Sequence, residues 1–461
     1  MLEIHYAHTL MLARQGIIPQ AVALRCITAL DGLDREQIRQ VVYDGACEDL
    51  FFYVEEALEK ACGPENAGRM HTARSRNDIA ITLYRLRLRT EILECVGALA
   101  ATRRVFLNLA EQHVTTLMPA YTHTQPAQPI TFAHYLLACI ELLGRDEHRL
   151  QAAFATVNRS PMGACAISTT GFPIDRTYTA ELLGFEGLQL NSYGAIAATD
   201  YLTETCGALS VAMVNLGRIA QDFLLWSTAE FGYLRLSNAW VQISSIMPQK
   251  RNPVPLEHIR VLASKSLAQA QGVFTCLHNT PFGDINDAED DLQPLLLHAT
   301  ADALRAIRLM GGVMADCEIN TSRMSERAHS DFLTVTELAD TLVRREQISF
   351  RDAHHLVSDA VRALEGNYSA EGMVDAVLKA KPLRTSREEL LQALDPRYFV
   401  NIRTVPGGPA PEAVRSALGD AEVHLAATEH WLQLQAERQQ AYPKKIRTDC
   451  ELLRATWGSP L

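Results

Sequence analysis

The chain has 461 residues, of which 48% are hydrophobic and 21% charged, a balance that excludes a disordered or fibrous protein. Its 43 Lys and Arg against 54 Asp and Glu give a net charge of −11, which disfavours nucleic acid and anionic membranes as bulk partners. Ten cysteines without CxxC or Cys/His ligand spacing exclude a small disulfide scaffold and indicate reduced thiols.

The chain carries no targeting or membrane signal that we recognise. The N-terminus lacks the basic and apolar regions of a signal peptide. The apolar run 209–225 is interrupted by Asn215, Arg218 and Asp222, so we expect no membrane span. These features predict a cytoplasmic protein.

Five long stretches have apolar residues at helical spacing with very few Gly or Pro. They cover roughly residues 79–115, 131–157, 196–227, 254–278 and 291–315. Helices this long, apolar on more than one face, pack best as an elongated bundle that is often shared between subunits. Alternating strand patterns are almost absent, so the fold class is expected to be all-α and the protein an oligomer.

The first polar motif precedes the first long helix and reads His-Thr-Ala-Arg-Ser-Arg-Asn-Asp over residues 71–78. Arg74 and Arg76 stand beside Ser75 and Asn77, a combination able to hold a carboxylate. For this motif taken alone, a capped helix start with solvated arginines is the favoured interpretation.

The second motif is the run Tyr-Thr-His-Thr-Gln-Pro over residues 121–126, which we expect to be an extended, proline-held loop. Thr122, His123 and Gln125 have no helix to join there and are candidates for lining a site. Histidine suits proton transfer near neutral pH, although a single loop histidine is more often structural.

The third motif, Ser-Ser-Ile-Met-Pro-Gln-Lys-Arg-Asn-Pro over residues 244–253, is the most specific. Pro253 disfavours helix at Asn252, and Pro255 suits the first turn of a new helix that carries Glu257. A surface loop with a basic tip remains possible. That interpretation does not explain two serines, a lysine and an asparagine whose donors would converge on an anion.

Together these segments resemble a known family. Residues 244–257 are similar to the SSxMPxKxN signature of the aspartase/fumarase superfamily, and residues 74–78 and 122–125 look like its other two active-site segments. Similarity to argininosuccinate lyases extends over nearly the whole chain, through residues 350–354 to the Gly-Gly-Pro-Ala-Pro segment at 407–411. By this resemblance the chain is identified as a member of the argininosuccinate lyase branch.

The resemblance implies a three-domain, all-α fold whose long helices assemble into a 20-helix homotetramer core. The implied domains are an N-terminal helical domain (1–74), a central long-helix bundle with the catalytic loop (75–325) and a C-terminal helical domain (326–461). The chain also begins where the family's first helix is already under way, so an N-terminal segment is expected to be missing or different.

The implied reaction is β-elimination from an N-substituted aspartate, which gives fumarate and an amine with no metal or organic cofactor. The implied catalytic residues are Ser244, His123, Lys250 and Glu257. The implied substrate-binding residues are Ser75, Arg76, Asn77, Thr122, Gln125, Ser245, Met247 and Asn252. Because the segments of one site usually come from three subunits in this family, four composite sites per tetramer are expected.

The sequence departs from argininosuccinate lyases in one segment of the site. Where the family usually has Tyr, Gln and Lys, this chain has Asp284, Glu289 and Leu292. The change removes a cation and adds acids on the amine side, which predicts a cationic or polyamine leaving group, as in ethylenediamine disuccinate (EDDS). Ile79 replaces a usual Gln, and Ile243 a Gly whose loss should stiffen the catalytic loop.

Two alternatives stay open at this point. The chain is argininosuccinate lyase proper with these departures tolerated, or it is a catalytically silent structural relative of the crystallin type. The presence of all four catalytic residues counts against the second.

Overall fold

The computed structural model describes residues 1–457, and most of that range is helical. The N-terminal part contains α1 (Leu2–Arg14), α2 (Gln20–Gly32), α3 (Arg35–Gln40), α4 (Leu50–Cys62) and α5 (Pro64–Met70). The middle part contains α6 (Arg76–Gln112), β1 (Leu117–Thr122), β2 (Gln125–Thr131), α7 (Phe132–Val157), α8 (Arg176–Leu182), α9 (Ser192–Ala197), α10 (Asp200–Trp226), β3 (Leu234–Arg235), β4 (Gln242–Ile243), β5 (Arg251–Asn252), α11 (Val254–Leu277), α12 (Gln293–Ala315) and β6 (Glu318–Ile319). The last part contains α13 (Thr321–Ala328), α14 (Val335–Glu346), α15 (Phe350–Ala363), α16 (Ala370–Ala380), α17 (Arg387–Ala393), α18 (Pro396–Asn401) and α19 (Pro411–Trp457).

The five predicted long helices are confirmed as α6, α7, α10, α11 and α12, within a few residues at each end. Local sequence explains their starts. Ser75 and Asp78 form a reciprocal capping box at α6, and Thr131 accepts a hydrogen bond from the His134 amide at α7. Pro255 lies in the first turn of α11, as predicted.

The bundle has two distinct ends. Helices α6 and α12 run parallel, because Cys95 contacts Thr300 and Thr102 contacts Ile307 farther along both helices. Helix α10 runs the same way, whereas α7 and α11 run in the opposite direction. We call the end where α6, α10 and α12 begin the proximal end, and the other end, where α7 and α11 begin, the distal end.

The length of α6 separates these ends widely. Its 37 residues span roughly 55 Å at a rise of 1.5 Å per residue. The core between the ends is a continuous apolar cluster in which large side chains such as Phe106, Phe132 and Phe223 are fully buried. Each such side chain contributes about 2 kcal/mol of transfer free energy, so the bundle is a rigid scaffold for whatever lies at its ends.

Helix α10 is the one helix in residues 1–457 that is long and apolar enough to cross a membrane by length and composition. Its polar residues are engaged within the bundle. Asn215 donates hydrogen bonds to Asp146 at 3.0 and 3.1 Å, and Tyr135 donates one to Asp222 at 2.7 Å. These contacts identify α10 as a core helix of the bundle.

The second motif is a hairpin rather than an irregular loop. Strands β1 and β2 pair in antiparallel fashion, with Pro119 opposite Pro129. A two-stranded ribbon tolerates these prolines because every strand in it is an edge strand. His123 and Thr124 make the turn, with left-handed φ values of 52° and 62°. These two strands were not predicted, because prolines interrupt the alternating pattern that is typical of strands.

The last part of the described chain has a small core of its own. Residues of α14 to α17 form a separate apolar cluster around Leu338, Val374 and Leu390. Helix α19 then returns to pack on α6 and α7 and on α1 and α2. Helix α19 continues as far as Trp457, and residues 458–461 lie outside the described residues. The domain boundaries at 74/75 and 325/326 stay a prediction.

Candidate active site

The start of α6 lies next to the segment that departs from the family. The Asn77 side-chain amide donates hydrogen bonds to Asp284 at 2.6 Å and to the Ala166 carbonyl at 3.3 Å. Ser75 serves as the N-cap of α6, so its hydroxyl already accepts a backbone hydrogen bond from Asn77. The structure therefore brings Ser75, Asn77 and Asp284 together at the proximal end.

A buried carboxylate fixes this arrangement from behind. Asp78 is fully buried and accepts backbone hydrogen bonds from Ser75, Gly163 and Cys165 at 2.9 to 3.0 Å. It thereby joins the first turn of α6 to the loop that carries Ala166. The Asp78 side chain therefore fixes the main chain of both segments that contact Asn77.

The two arginines of the first motif have different environments, and neither is a simple solvated side chain. Arg74 is buried and bonded to Glu55 at 2.8 Å and to His5 at 2.9 Å, so its guanidinium group has partners within the fold. Arg76 is partly exposed and bonds Glu48 at 2.6 Å and Asp49 at 3.3 Å. Both of these bonds use Nη1 of Arg76.

Asp284 and Glu289 are neighbouring acids. Burial, a hydrogen bond to Asp284 and the negative charges of Asp284 and Asp290 raise the pKa of Glu289 to about 8, although the nearby Arg76 charge opposes this. Glu289 therefore keeps its proton at neutral pH. A cationic ligand would favour release of that proton and would be attracted by the resulting charge.

Two residues of this region were not singled out from the sequence. Tyr84 donates a hydrogen bond to Asp290, and Tyr193 donates one to the Phe282 carbonyl at 2.8 Å. Tyr84 could have been found, because it follows Asn77 by two helical turns and so shares its face of α6. Tyr193 lies 89 residues from Phe282, and no local pattern signals that contact.

The third motif forms a short hairpin at the distal end. Strands β4 and β5 pair Gln242 with Asn252, and the loop between them carries Ser244. The Ser244 hydroxyl oxygen accepts hydrogen bonds from the backbone amides of Ile246 at 3.3 Å and Met247 at 3.1 Å. Two amide donors are what a serine alkoxide needs for stabilisation. Asn252 is half-buried, whereas most side chains of the loop are exposed, among them Ser245, Met247 and Lys250, and Glu257 is exposed on the following helix.

The hairpin that carries His123 also lies at the distal end. Its Tyr121 hydroxyl is 2.7 Å from that of Tyr233, directly before the segment that leads to the Ser244 loop. Thr122, His123 and Gln125 are exposed. One chain thus carries Ser75 to Asn77 at one end of α6 and the other two motifs at the opposite end, roughly 55 Å away at 1.5 Å per residue.

Comparison with known proteins identifies the family. A lyase family model matches residues 7–267, and a model of the argininosuccinate lyase C-terminal region matches residues 332–401. The chain belongs to the argininosuccinate lyase branch of the aspartase/fumarase superfamily. This lyase is 42% identical to argininosuccinate lyase 2 of Agrobacterium fabrum over 436 residues, which cover 93% of this chain and 86% of the relative. It is 40% identical to argininosuccinate lyase 1 of Shouchella clausii over 435 residues, which cover 93% and 87%.

Solved structures agree with this assignment. Two structures of EDDS lyase, a double variant with bound fumarate and a complex with formate, are 31% identical to this lyase with a TM-score of 0.91. Each alignment covers 100% of this chain and 92% of the other. The fumarate lyase from Mesorhizobium sp. BNC1, 20% identical with a TM-score of 0.76 over 91% of this chain and 94% of its own, shares the fold. This lyase therefore has the expected all-α fold and cleaves a carbon–nitrogen bond of an aspartate derivative to release fumarate.

Proposed function

We propose that this lyase acts on an N-substituted aspartate whose amine half is cationic, such as EDDS, rather than on argininosuccinate. The observation that carries the proposal is the acid pair beside the start of α6, in which Asp284 contacts Asn77 and Glu289 lies against Asp284. Carboxylates attract ammonium groups such as those of an ethylenediamine unit. The likeness to EDDS lyase supports the same choice.

In the proposed reaction Ser244 removes a proton from the β-carbon of the aspartate half. The hydroxyl is a weak base, so its alkoxide needs the two amide donors of Ile246 and Met247 and a nearby cation. The electrons of the broken C–H bond pass into the adjacent carboxylate, which becomes a dianion. That dianion then expels the nitrogen, and the double bond of fumarate forms as the C–N bond breaks.

Lys250 and Asn252 supply the electrostatic stabilisation in this scheme. Negative charge accumulates on the carboxylate in the transition state, and donors aimed at that position lower the barrier more than they strengthen ground-state binding. Lys250 lies on the exposed tip of the same loop, six residues after Ser244. The proposed roles of the other residues are to bind the substrate carboxylates and the leaving group: Ser75, Arg76, Asn77, Thr122, Gln125, Ser245 and Met247.

We infer that each site is completed by other copies of the chain in a homotetramer. The span of α6 keeps Asn77 far from His123 and from the Ser244 loop within one chain, which supports the inference. An antiparallel arrangement of neighbouring bundles would bring a proximal end of one subunit beside the distal ends of others. His123 would pair with Glu257 across such an interface. Ten cysteines without a disulfide support a reducing, cytoplasmic location.

The specificity is tested with a substrate panel and with variants of the acid pair. EDDS and argininosuccinate are compared by fumarate release from the wild-type protein, and EDDS should be preferred. The double variant Asp284→Tyr, Glu289→Gln restores residues usual in argininosuccinate lyases and should shift preference toward argininosuccinate. Asp287→Asn, on the same loop, is the matched control and should leave the preference unchanged.

Argininosuccinate lyase proper is the second candidate function. It is favoured by the match to the argininosuccinate lyase C-terminal model and by the 42% identity to argininosuccinate lyase 2. Preference of the wild-type protein for argininosuccinate by tenfold or more in kcat/KM would establish it and would overturn the proposed specificity.

A further inference from the structure

The acidic residues of the amine side lie on a segment with little regular structure. Residues 279–292, which we call the acid loop, contain only two single 3-10 turns, Asn286–Ala288 and Asp290–Leu292. The acid loop joins α11 to α12 at the proximal end. Backbone hydrogen bonds within it are few, so its position depends on side chains from other elements.

Gln293, at the start of α12, donates to the Glu289 carbonyl at 3.4 Å, and three side chains farther away in sequence also bond to the acid loop along its length. Asn77 bonds Asp284 at 2.6 Å in its middle, Tyr193 bonds the Phe282 carbonyl at 2.8 Å near its start, and Tyr84 bonds Asp290 near its end. The first of these contacts involves groups that we assign to the substrate. The two tyrosines hold parts of the loop that make no assigned substrate contact.

The Tyr84 contact is a charge-assisted hydrogen bond. Burial and the Asp290 carboxylate raise the pKa of the Tyr84 hydroxyl, so the phenol stays a donor over the working pH range. Tyr84 comes from α6, the helix that also carries Asn77. The distance between Asn77 and the end of the acid loop is therefore set by one rigid helix.

The Tyr193 contact is reinforced by packing. Its ring lies 5.7 Å from that of Phe282, and a Cβ added at Gly283 would lie 3.5 Å from the Tyr193 hydroxyl. The backbone at Gly283, directly before Asp284, therefore lies close to the Tyr193 hydroxyl. Tyr193 belongs to α9, so the start of the acid loop is fixed by a different element from its end.

A cationic amine meets a carboxylate whose place is set by the acid loop. Asn77 bonds one of the two Asp284 oxygens, and a carboxylate accepts several hydrogen bonds at once, so Asp284 can keep Asn77 and also bind an ammonium group. The position of Asp284 for that second contact depends on how the acid loop is held at its start and at its end.

We propose that Tyr84 and Tyr193 are positioning residues for the amine half, which hold the acid loop in place so that Asp284 meets the amine. The proposal rests on the proposed function of the acid pair. It assigns no proton transfer to either tyrosine. The two residues act through Asp284 and Glu289, and the substrate does not contact them.

The test uses Tyr84→Phe and Tyr193→Phe, which remove one hydroxyl and keep the ring. Rates of addition of ethylenediamine to fumarate are measured in the full-length protein, with separate KM values for the amine and for fumarate. Each variant should raise KM for the amine about tenfold, the effect of losing one hydrogen bond at or near a charge. KM for fumarate should change less than about twofold, and kcat less than about threefold.

Tyr398→Phe in α18, away from the proximal end, is the matched control. Its KM values for the amine and for fumarate should equal those of the wild type. Melting temperatures of all variants show whether folding is affected. An unchanged KM for the amine would overturn the proposal, as would equal increases in both KM values, the result of a general loss of structure. If the wild-type protein adds arginine rather than ethylenediamine, the proposed specificity fails, and the same comparison made with arginine still tests the tyrosines.

Discussion

Replacing Glu289 with Gln tests whether the acid loop holds a proton at neutral pH. Burial, the hydrogen bond to Asp284 and nearby negative charge raise the pKa of Glu289 from its ordinary 4.5 to about 8. An unfolded chain releases this proton near pH 4.5, whereas the folded chain keeps it until about pH 8. The folded state therefore binds more protons in this window, and the carboxyl destabilises the fold increasingly as the pH rises through it.

The size of the effect follows from the two pKa values. Each pKa unit corresponds to about 1.36 kcal/mol, which gives an upper limit of about 5 kcal/mol above pH 8. Glu289 is only half-buried, and solvent screening reduces the expected value to about 2 kcal/mol. Gln keeps a donor for Asp284 and carries no charge at any pH. The variant therefore does not lose this part of its free energy of unfolding as the pH rises.

The assay is urea unfolding of the wild-type and Glu289→Gln proteins at pH 5 and at pH 9. The variant should be more stable than the wild type by about 2 kcal/mol at pH 9, with a much smaller difference at pH 5. Glu111→Gln, at an exposed site near the end of α6, is the control and should show no such pH dependence. An equal difference at both pH values for Glu289→Gln would refute the reasoning.

Three further predictions concern the bundle, the subunits and the amine side. Arg103→Met should lower the free energy of unfolding by about 3 kcal/mol, because the buried Glu147 loses its 2.5 Å partner, and adding Glu147→Met should restore much of it in denaturant titrations. Mixing unfolded Ser244→Ala and Asn77→Ala chains and refolding them together should recover up to about a quarter of wild-type fumarate release, since some composite sites then receive neither change. Separately refolded variants that are mixed afterwards should stay inactive. KM for a diamine in the addition reaction should fall as the pH rises toward about 8, because Glu289 then loses its proton and its charge attracts the cationic amine. Glu289→Gln should abolish that fall, and initial rates measured across the pH range test both statements.

The helices were predictable because their signals are local. Apolar spacing gave the five long helices, and Pro255 gave the start of α11. The hairpin around His123 was harder to predict, because three prolines interrupt the strand pattern that pairs β1 with β2. The burial of Arg74 against Glu55 depends on packing of α4 beside the first motif, which no spacing in the sequence records.

The arrangement of the candidate site was only partly predictable. Residue types and order indicated the three motifs, and the departure at Asp284 and Glu289 was visible in the sequence. That Asn77 lies against Asp284, 207 positions later, became apparent only from the fold. The separation of the motifs could have been inferred earlier, because a 37-residue helix lies between Asn77 and His123. The anchoring of the acid loop by Tyr193 had no sequence signal at all.

The central claim is that Ser244 starts an elimination that releases fumarate from an N-substituted aspartate with a cationic amine half. The most direct measurement is fumarate absorbance when the purified protein is incubated with EDDS, with argininosuccinate and with other N-substituted aspartates, beside Ser244→Ala. Rapid fumarate release is expected from EDDS or a similar cationic member, and none from Ser244→Ala. Unchanged release by Ser244→Ala, or no release from any member by a well-folded wild-type protein, would contradict it.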